Sequence, residues 1–206
     1  MLFNIYAYIK KRKPRVKGFF YKLLMSNAKL TIGKNFKCDT WPEITLTEES
    51  TLSIGDNVYL RRNIELRAHK KSNLKIGSNC RIDRGVRLLT TNSSLLQIGK
   101  KTRVGLYSVL NGGDNIIIEE NVLVSGFVYI QTSNHNTKQK TSIIESGYEH
   151  SPIFIGSDSW LAAHVVILPG IRIGEGAVVG SNAVVTKDVL PFTINGGIPS
   201  KILKER

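Results

Sequence analysis

IGSDSWLAAHVVILPGIRIGEGAVVGSNAVV, residues 155–185, places an aliphatic side chain at every sixth position: Ile155, Leu161, Ile167, Ile173, Val179 and Val185. A helix returns to its buried face every 3.6 residues and a strand every two, so neither alone gives this period. A triangular prism with one short strand per side does, each side turning one residue inward, and three sixes close a coil of eighteen. A second series of smaller residues follows four places behind, through Val165, Ile171, Ala177, Ala183 and Val189, and suits the corners.

Working towards the N-terminus, the same period recurs as Ile118, Val124, Ile130; Ile98, Val104, Leu110; Ile76, Ile82, Leu88; and Ile54, Leu60, Leu66. An isoleucine, mostly followed by glycine, anchors each coil at Ile32, Ile54, Ile76, Ile98, Ile118, Ile155 and Ile173, in steps of 22, 22, 22, 20, 37 and 18. Such self-similarity marks a solenoid whose coils stack at strand spacing, about 4.8 Å. The four extra residues in the longer steps are expected to loop out at a corner. Gly and Asn in the turns accept backbone angles that β-branched residues resist. Cys80 falls on the inward series and reads as core, and Gly174, Gly176 and Gly180 follow the hexad rather than a phosphate loop.

With 206 residues and only 8% aromatics, the chain suits one domain of small repeating units. Its net charge of +13 is uneven, because residues 1–40 hold ten Lys and Arg against Asp39 alone. The apolar opening before this basic run is too short to span a bilayer and lacks a cleavage site, so neither a signal peptide nor a transmembrane helix is expected. Cys38 and Cys80 match no metal-ligand spacing, which favours a reduced, cytoplasmic setting. Three regions follow: 1–29, a basic and helical segment; 30–195, the β-helix; and 196–206, a turn and short helix.

The register breaks once. After Ile130 the next inward position is residue 136, yet the series resumes at Ile155, so nineteen residues leave the prism. The excursion, 135–152, is polar and unsuited to a core. His135 stands at its root.

SNHNTKQ and then SPIFIGSDSWLAAHVVILPGIRIGEGAVVGSNAVVTKDVLPFTINGGIPSKI resemble the hexapeptide-repeat acyltransferases, whose fold is a left-handed parallel β-helix. The branch is that of the galactoside, maltose and xenobiotic acetyltransferases and the O-acetyltransferases of surface polysaccharides. Resemblance is high over 118–206, weaker over 30–117 and absent before. It implies a homotrimer in which the loop reaches towards the neighbouring subunit, acetyl-CoA as co-substrate with no metal, and transfer to a sugar hydroxyl in capsule, exopolysaccharide or O-antigen synthesis. N-acetylation of a sugar nucleotide is the alternative.

Transfer from a thioester to a hydroxyl requires a base that works near neutral pH, and imidazole suits the task. The resemblance puts that base at His135, and Glu120 is the candidate carboxylate to orient it. It also implies Trp160 beside the acceptor or pantetheine arm, main-chain groups of Ala163 and Ser181 along the arm, Thr186 and Lys187 near the nucleotide phosphates, and Lys201 and Lys204 around the same end. One departure is Gly196-Gly197-Ile198-Pro199, where the family carries Ala-Gly-Asn-Pro. His164 replaces a common turn Asn, and His69 and His150 match no motif.

The segment 1–29 suits either a cap on the open end of the β-helix or contact with an anionic membrane surface, where lipid-linked saccharide acceptors are assembled; the protein would then be peripheral at the inner face. Nucleic acid is not expected, since basic charge alone is unspecific. Two rivals of other classes are a γ-class carbonic-anhydrase-like metalloenzyme, whose close histidine pair is missing here, and a non-catalytic scaffold.

Overall fold

The computed structural model describes residues 2–138, 140 and 142–206; Met1, Gln139 and Thr141, within two of the segments read above, lie outside the described residues, as do the side chains of residues 2–11. One helix, α1 (Leu2–Met25), precedes an all-β parallel solenoid, consistent with a left-handed β-helix. Its first and third faces each hold seven parallel strands, and its second face holds nine. The hexad residues point inward throughout: Leu60, Leu66, Ile82, Leu88, Leu110, Val124, Ile130, Leu161, Ile167, Val179 and Val185 are fully buried. Each such aliphatic side chain contributes about 1.5–3 kcal/mol by leaving water. Cys80 is buried in the core as expected, with burial pushing its thiol up to about 11.

The extra residues of the 22-residue coils are not looped out. They lengthen the strands on both sides of the corner between the third and first faces, as in Glu65–Ala68 and Asn73–Ile76, where shorter coils have two or three residues. Serines line this widened corner, and burial is tolerated because their hydroxyls are bonded: Ser72 Oγ donates to His69 O at 2.6 Å and stands 3.1 Å from Thr90 O.

Turn chemistry divides between two residue types. Asn35, Asn57 and Asn79 take the left-handed conformation, and their amides form a ladder with steps of 3.1 Å. The glycine after each isoleucine anchor has a different reason. A Cβ on Gly55 would lie 2.7 Å from Ser78 N, one on Gly77 2.7 Å from Lys100 N, and one on Gly156 2.6 Å from Glu175 N. Glycine is required there because the next coil crosses at contact distance.

Helix α1 lies against the first coil. Tyr21 is buried between Phe36 and Trp41, with ring centroids 6.1 and 5.5 Å away, and a Cβ on Gly18 would collide with Phe36 O. Lys17 Nζ donates to Asp39 O at 2.7 Å and Lys22 Nζ to Gly33 O at 3.0 Å. Among the described residues no helix is long and apolar enough to cross a membrane.

Asp39 accepts from Tyr59 Oη at 2.5 Å and Arg61 Nε at 2.6 Å. Burial pushes its carboxyl up, but these bonds and the Arg61 charge together outweigh burial and hold it below its ordinary 3.8. Its stabilising contribution is therefore complete above pH 3.8 and is lost as pH falls through the lowered value. Asp39→Asn is expected to cost about 1–3 kcal/mol at neutral pH in urea unfolding followed by Trp fluorescence. Wild type and variant should converge in acid below the carboxylate range.

At the far end the expected short helix is a strand. Lys201–Glu205 turns back antiparallel on Thr193–Gly196, pairing Ile194 with Lys204 and Gly196 with Lys201. Residues such as Lys, Leu and Glu favour a helix in isolation, yet the free edge of Thr193–Gly196 offers a row of unpaired backbone groups, and satisfying them prevails.

Candidate active site

The chain leaves the prism at Thr132 and returns at Ser151, and the neck is closed by Ser151 N donating to Thr132 O at 2.9 Å. Thr132 is buried, and its Oγ1 accepts from the backbone N–H groups of Gly113 and Asp114 at 2.8 and 3.0 Å. Beyond this clamp, the excursion begins and ends as a hairpin. Ser133–His135 pairs antiparallel with Tyr148–His150, setting Ser133 opposite His150, Asn134 opposite Glu149 and His135 opposite Tyr148.

Side chains alternate across a strand, so Ser133, His135, Tyr148 and His150 share one face. The rings form a row: His135 and Tyr148 centroids are 4.4 Å apart, and Tyr148 and His150 6.1 Å. On the other face Lys138 pairs with Glu149 at 2.8 Å.

The two imidazoles have different surroundings. His150 Nδ1 lies 2.8 Å from Ser133 Oγ, and its Nε2 lies 3.4 Å from Asn92 Nδ2. A Cβ on Gly113 would come within 2.5 Å of His150 Nδ1, so the missing side chain makes room for the ring. Among the described residues neither ring nitrogen of His135 has a hydrogen-bond partner, and the residue is exposed. A cleft of about 440 Å³ opens along the widened corner beside the hairpin, lined by Lys70, Asn92, Asn111, Gln131, Tyr148 and His150 among others.

Glu120 does not orient His135 within the chain. It sits at the corner between the first and second faces and pairs with Lys100 at 3.1 Å, whereas His135 departs from the corner between the third and first. Trp160 lies outward on the second face, 44% exposed, with Nε1 donating to Ser125 Oγ at 3.0 Å. Ala163 and Ser181 occupy successive coils at the corner between the second and third faces, where Asn182 N donates to Ala163 O at 3.0 Å. Along this corner His164 stacks on Phe127 at 4.8 Å, and Phe127 on Tyr107 at 5.6 Å. Thr186 and Lys187 follow the last strand of the third face, and Lys201 and Lys204 lie exposed on the terminal strand. One chain thus brings the expected donor-side residues to several edges rather than one groove. Among the described residues no three His, Cys, Asp or Glu side chains gather where they could hold a metal ion.

Ser133 and Tyr148 were not singled out in the sequence and His150 matched no motif there, because hairpin pairing leaves no period to follow. The signal available was a pair of polar-aromatic triplets, SNH and YEH, bounding the same excursion.

Residues 152–187 match the family model described as bacterial transferase hexapeptide (six repeats). Those residues are similar to the hexapeptide repeat of bacterial transferases. The chain is 54% identical over 52 residues to a chloramphenicol acetyltransferase of Morganella morganii, a stretch covering 25% of each. It is 34% identical over 91 residues to the galactoside O-acetyltransferase of Escherichia coli strain K12, covering 44% of each. The matches thus span less than half of these curated relatives. Among solved structures it resembles a mutant of AntD, an N-acyltransferase from Bacillus cereus in complex with dTDP and coenzyme A, at a TM-score of 0.62 and 19% identity, covering 85% of this chain and 83% of that one. At that identity the likeness is one of fold.

Proposed function

We propose that the protein is an acyl-CoA-dependent acyltransferase that moves an acetyl group from acetyl-CoA to a sugar hydroxyl. The observation that carries this reading is His135, whose ring nitrogens have no hydrogen-bond partner among the described residues, at the root of an arm projecting from a solenoid with a hexapeptide-repeat match. Its imidazole takes the hydroxyl proton as the oxygen attacks the thioester carbonyl. The tetrahedral intermediate then collapses, the C–S bond breaks, and the imidazolium returns the proton to the departing thiolate. Backbone N–H groups hold the oxyanion.

The cleft beside the hairpin suits a polyhydroxylated acceptor, since Asn92, Asn111, Gln131 and Lys70 offer donors and acceptors, and its volume lies within the range of about 300–1,000 Å³ typical of small-molecule sites. The assembly is a homotrimer. Trp160, Ala163, Ser181, Thr186, Lys187, Lys201 and Lys204 serve the coenzyme, and their spread over several edges fits a donor site completed by a neighbouring subunit. The polysaccharide setting rests on resemblance to galactoside and surface-glycan enzymes.

The test is release of free thiol from acetyl-CoA with a panel of saccharides, alongside calorimetry with coenzyme A and light scattering for the trimer. Absence of coenzyme A binding would favour the scaffold reading, and acylation confined to amino sugars would favour N-transfer. Gly113→Val is expected to displace His150 and Ser133 and to raise the acceptor KM about tenfold with little change in the coenzyme A dissociation constant. A crystal structure of the variant with the His150 ring unmoved would oppose this.

A further inference from the structure

Helix α1 has two apolar faces, and the solenoid uses one. Gly18 and Tyr21 face the first coil, while Val16, Phe19, Phe20, Leu23 and Leu24 recur at helical spacing on the opposite side. Phe19 is 64% exposed, Leu23 67% and Leu24 64%. A surface helix normally presents polar residues there, and a contiguous apolar stripe marks a contact surface.

The surroundings of this stripe are cationic. Lys13 and Arg15 are exposed on α1 just before it. Beside it, between α1 and the first coils, lies a cavity of about 560 Å³ whose lining includes Arg15, Phe19, Lys22, Lys34, Phe36 and Lys37 and no carboxylate. Lys22 Nζ bonds Gly33 O, Asp39 is occupied by Tyr59 and Arg61, and Asp56 Oδ1 accepts from the Lys34 backbone N–H at 2.6 Å. An exposed aromatic-aliphatic stripe flanked by cations complements a surface that is apolar inside and anionic at its head groups.

We propose that α1 is an interfacial helix that seats the protein on an anionic phospholipid membrane, with Phe19, Phe20, Leu23 and Leu24 entering the acyl boundary and the basic cavity receiving a lipid phosphate. This stands apart from the acyl-transfer reading and survives its failure. The helix both closes the first coil and presents its far side to lipid.

The test is flotation of the full chain with vesicles of phosphatidylcholine alone and of phosphatidylcholine with 30% phosphatidylglycerol. Binding is expected only to the anionic vesicles and is expected to weaken as salt rises from 0.1 to 0.5 M. Phe20→Ser with Leu23→Ser should reduce partitioning at least tenfold, and Arg15→Gln with Lys34→Gln and Lys37→Gln roughly a hundredfold. Both sets replace exposed or half-exposed side chains, and an unchanged circular dichroism melt confirms that the fold is kept. Equal binding to neutral vesicles, no binding at all, or undiminished binding by the variants would overturn the proposal. So would a fall in sedimentation coefficient of Phe20→Ser with Leu23→Ser, because the stripe would then be an interface with a second copy of the chain.

Discussion

His135→Ala is expected to slow acyl transfer about 100- to 10,000-fold, the usual contribution of a positioned general base. Binding of coenzyme A should be unchanged, because the residue is exposed on the hairpin and its ring nitrogens hold nothing among the described residues. The thermal midpoint should also stay within a few degrees, since the residue is exposed. His150→Ala provides the contrast. Its ring is engaged by Ser133 and Asn92 and lines the cleft, so its loss is expected to raise the acceptor KM about tenfold while leaving kcat nearly intact. Single-turnover measurements with saturating acceptor separate the two. The assignment fails if His135→Ala turns over within twofold of wild type, or if His150→Ala carries the larger loss in kcat.

Gly99→Val is expected to be far more damaging to stability than its small size suggests. A Cβ at this position would meet the backbone of the next coil, coming within 2.7 Å of Glu120 N and closer still to the Glu119 carbonyl. Backbone cannot swing aside as a side chain can, so two coils must separate locally and their ladder bonds lengthen. Overpacking of a core typically costs about 1–3 kcal/mol, and this site belongs at or above the upper limit. At 2–4 °C per kcal/mol for a domain of this size, a fall in Tm of roughly 10 °C is expected. Asn79→Ala should cost only about 1–2 kcal/mol, the penalty of a left-handed residue without a polar side chain. Equal losses in calorimetric melts would remove the distinction between crowding and backbone conformation.

The hexad was legible because nearly every side of the prism turns one aliphatic residue inward, Cys38 and Asn195 being the buried exceptions on the second face. Ile155, Leu161 and Ile167 therefore announce the coil unaided, as do their counterparts from Ile54 to Ile130. The glycines were legible as turn markers but not for their reason, since a close crossing depends on a residue about twenty positions away. The terminal KILKER segment misled for a related cause: its composition favours a helix, and only the open edge beside Thr193–Gly196 makes it a strand. At the candidate site, the departure from period located His135 but not its surroundings. The row His135–Tyr148–His150 depends on antiparallel pairing across residues 136–147, and the triplets SNH and YEH mark the ends of that pairing without fixing its register. Glu120 stands one coil edge before the excursion in sequence, yet within one chain it occupies a different corner from the one His135 leaves and pairs with Lys100.

The clamp at Thr132 and Ser151 lets the excursion change without disturbing the core. Ile116, Ile117 and Ile118 pair with Ile153, Phe154 and Ile155 just as if the intervening stretch were a simple turn. Doubling the length of a flexible loop costs only about 0.6 kcal/mol in closure entropy. Residues between the two ends are therefore free to drift in number and kind, so the solenoid behaves as a socket into which evolution, or an engineer, can fit arms suited to other acceptors.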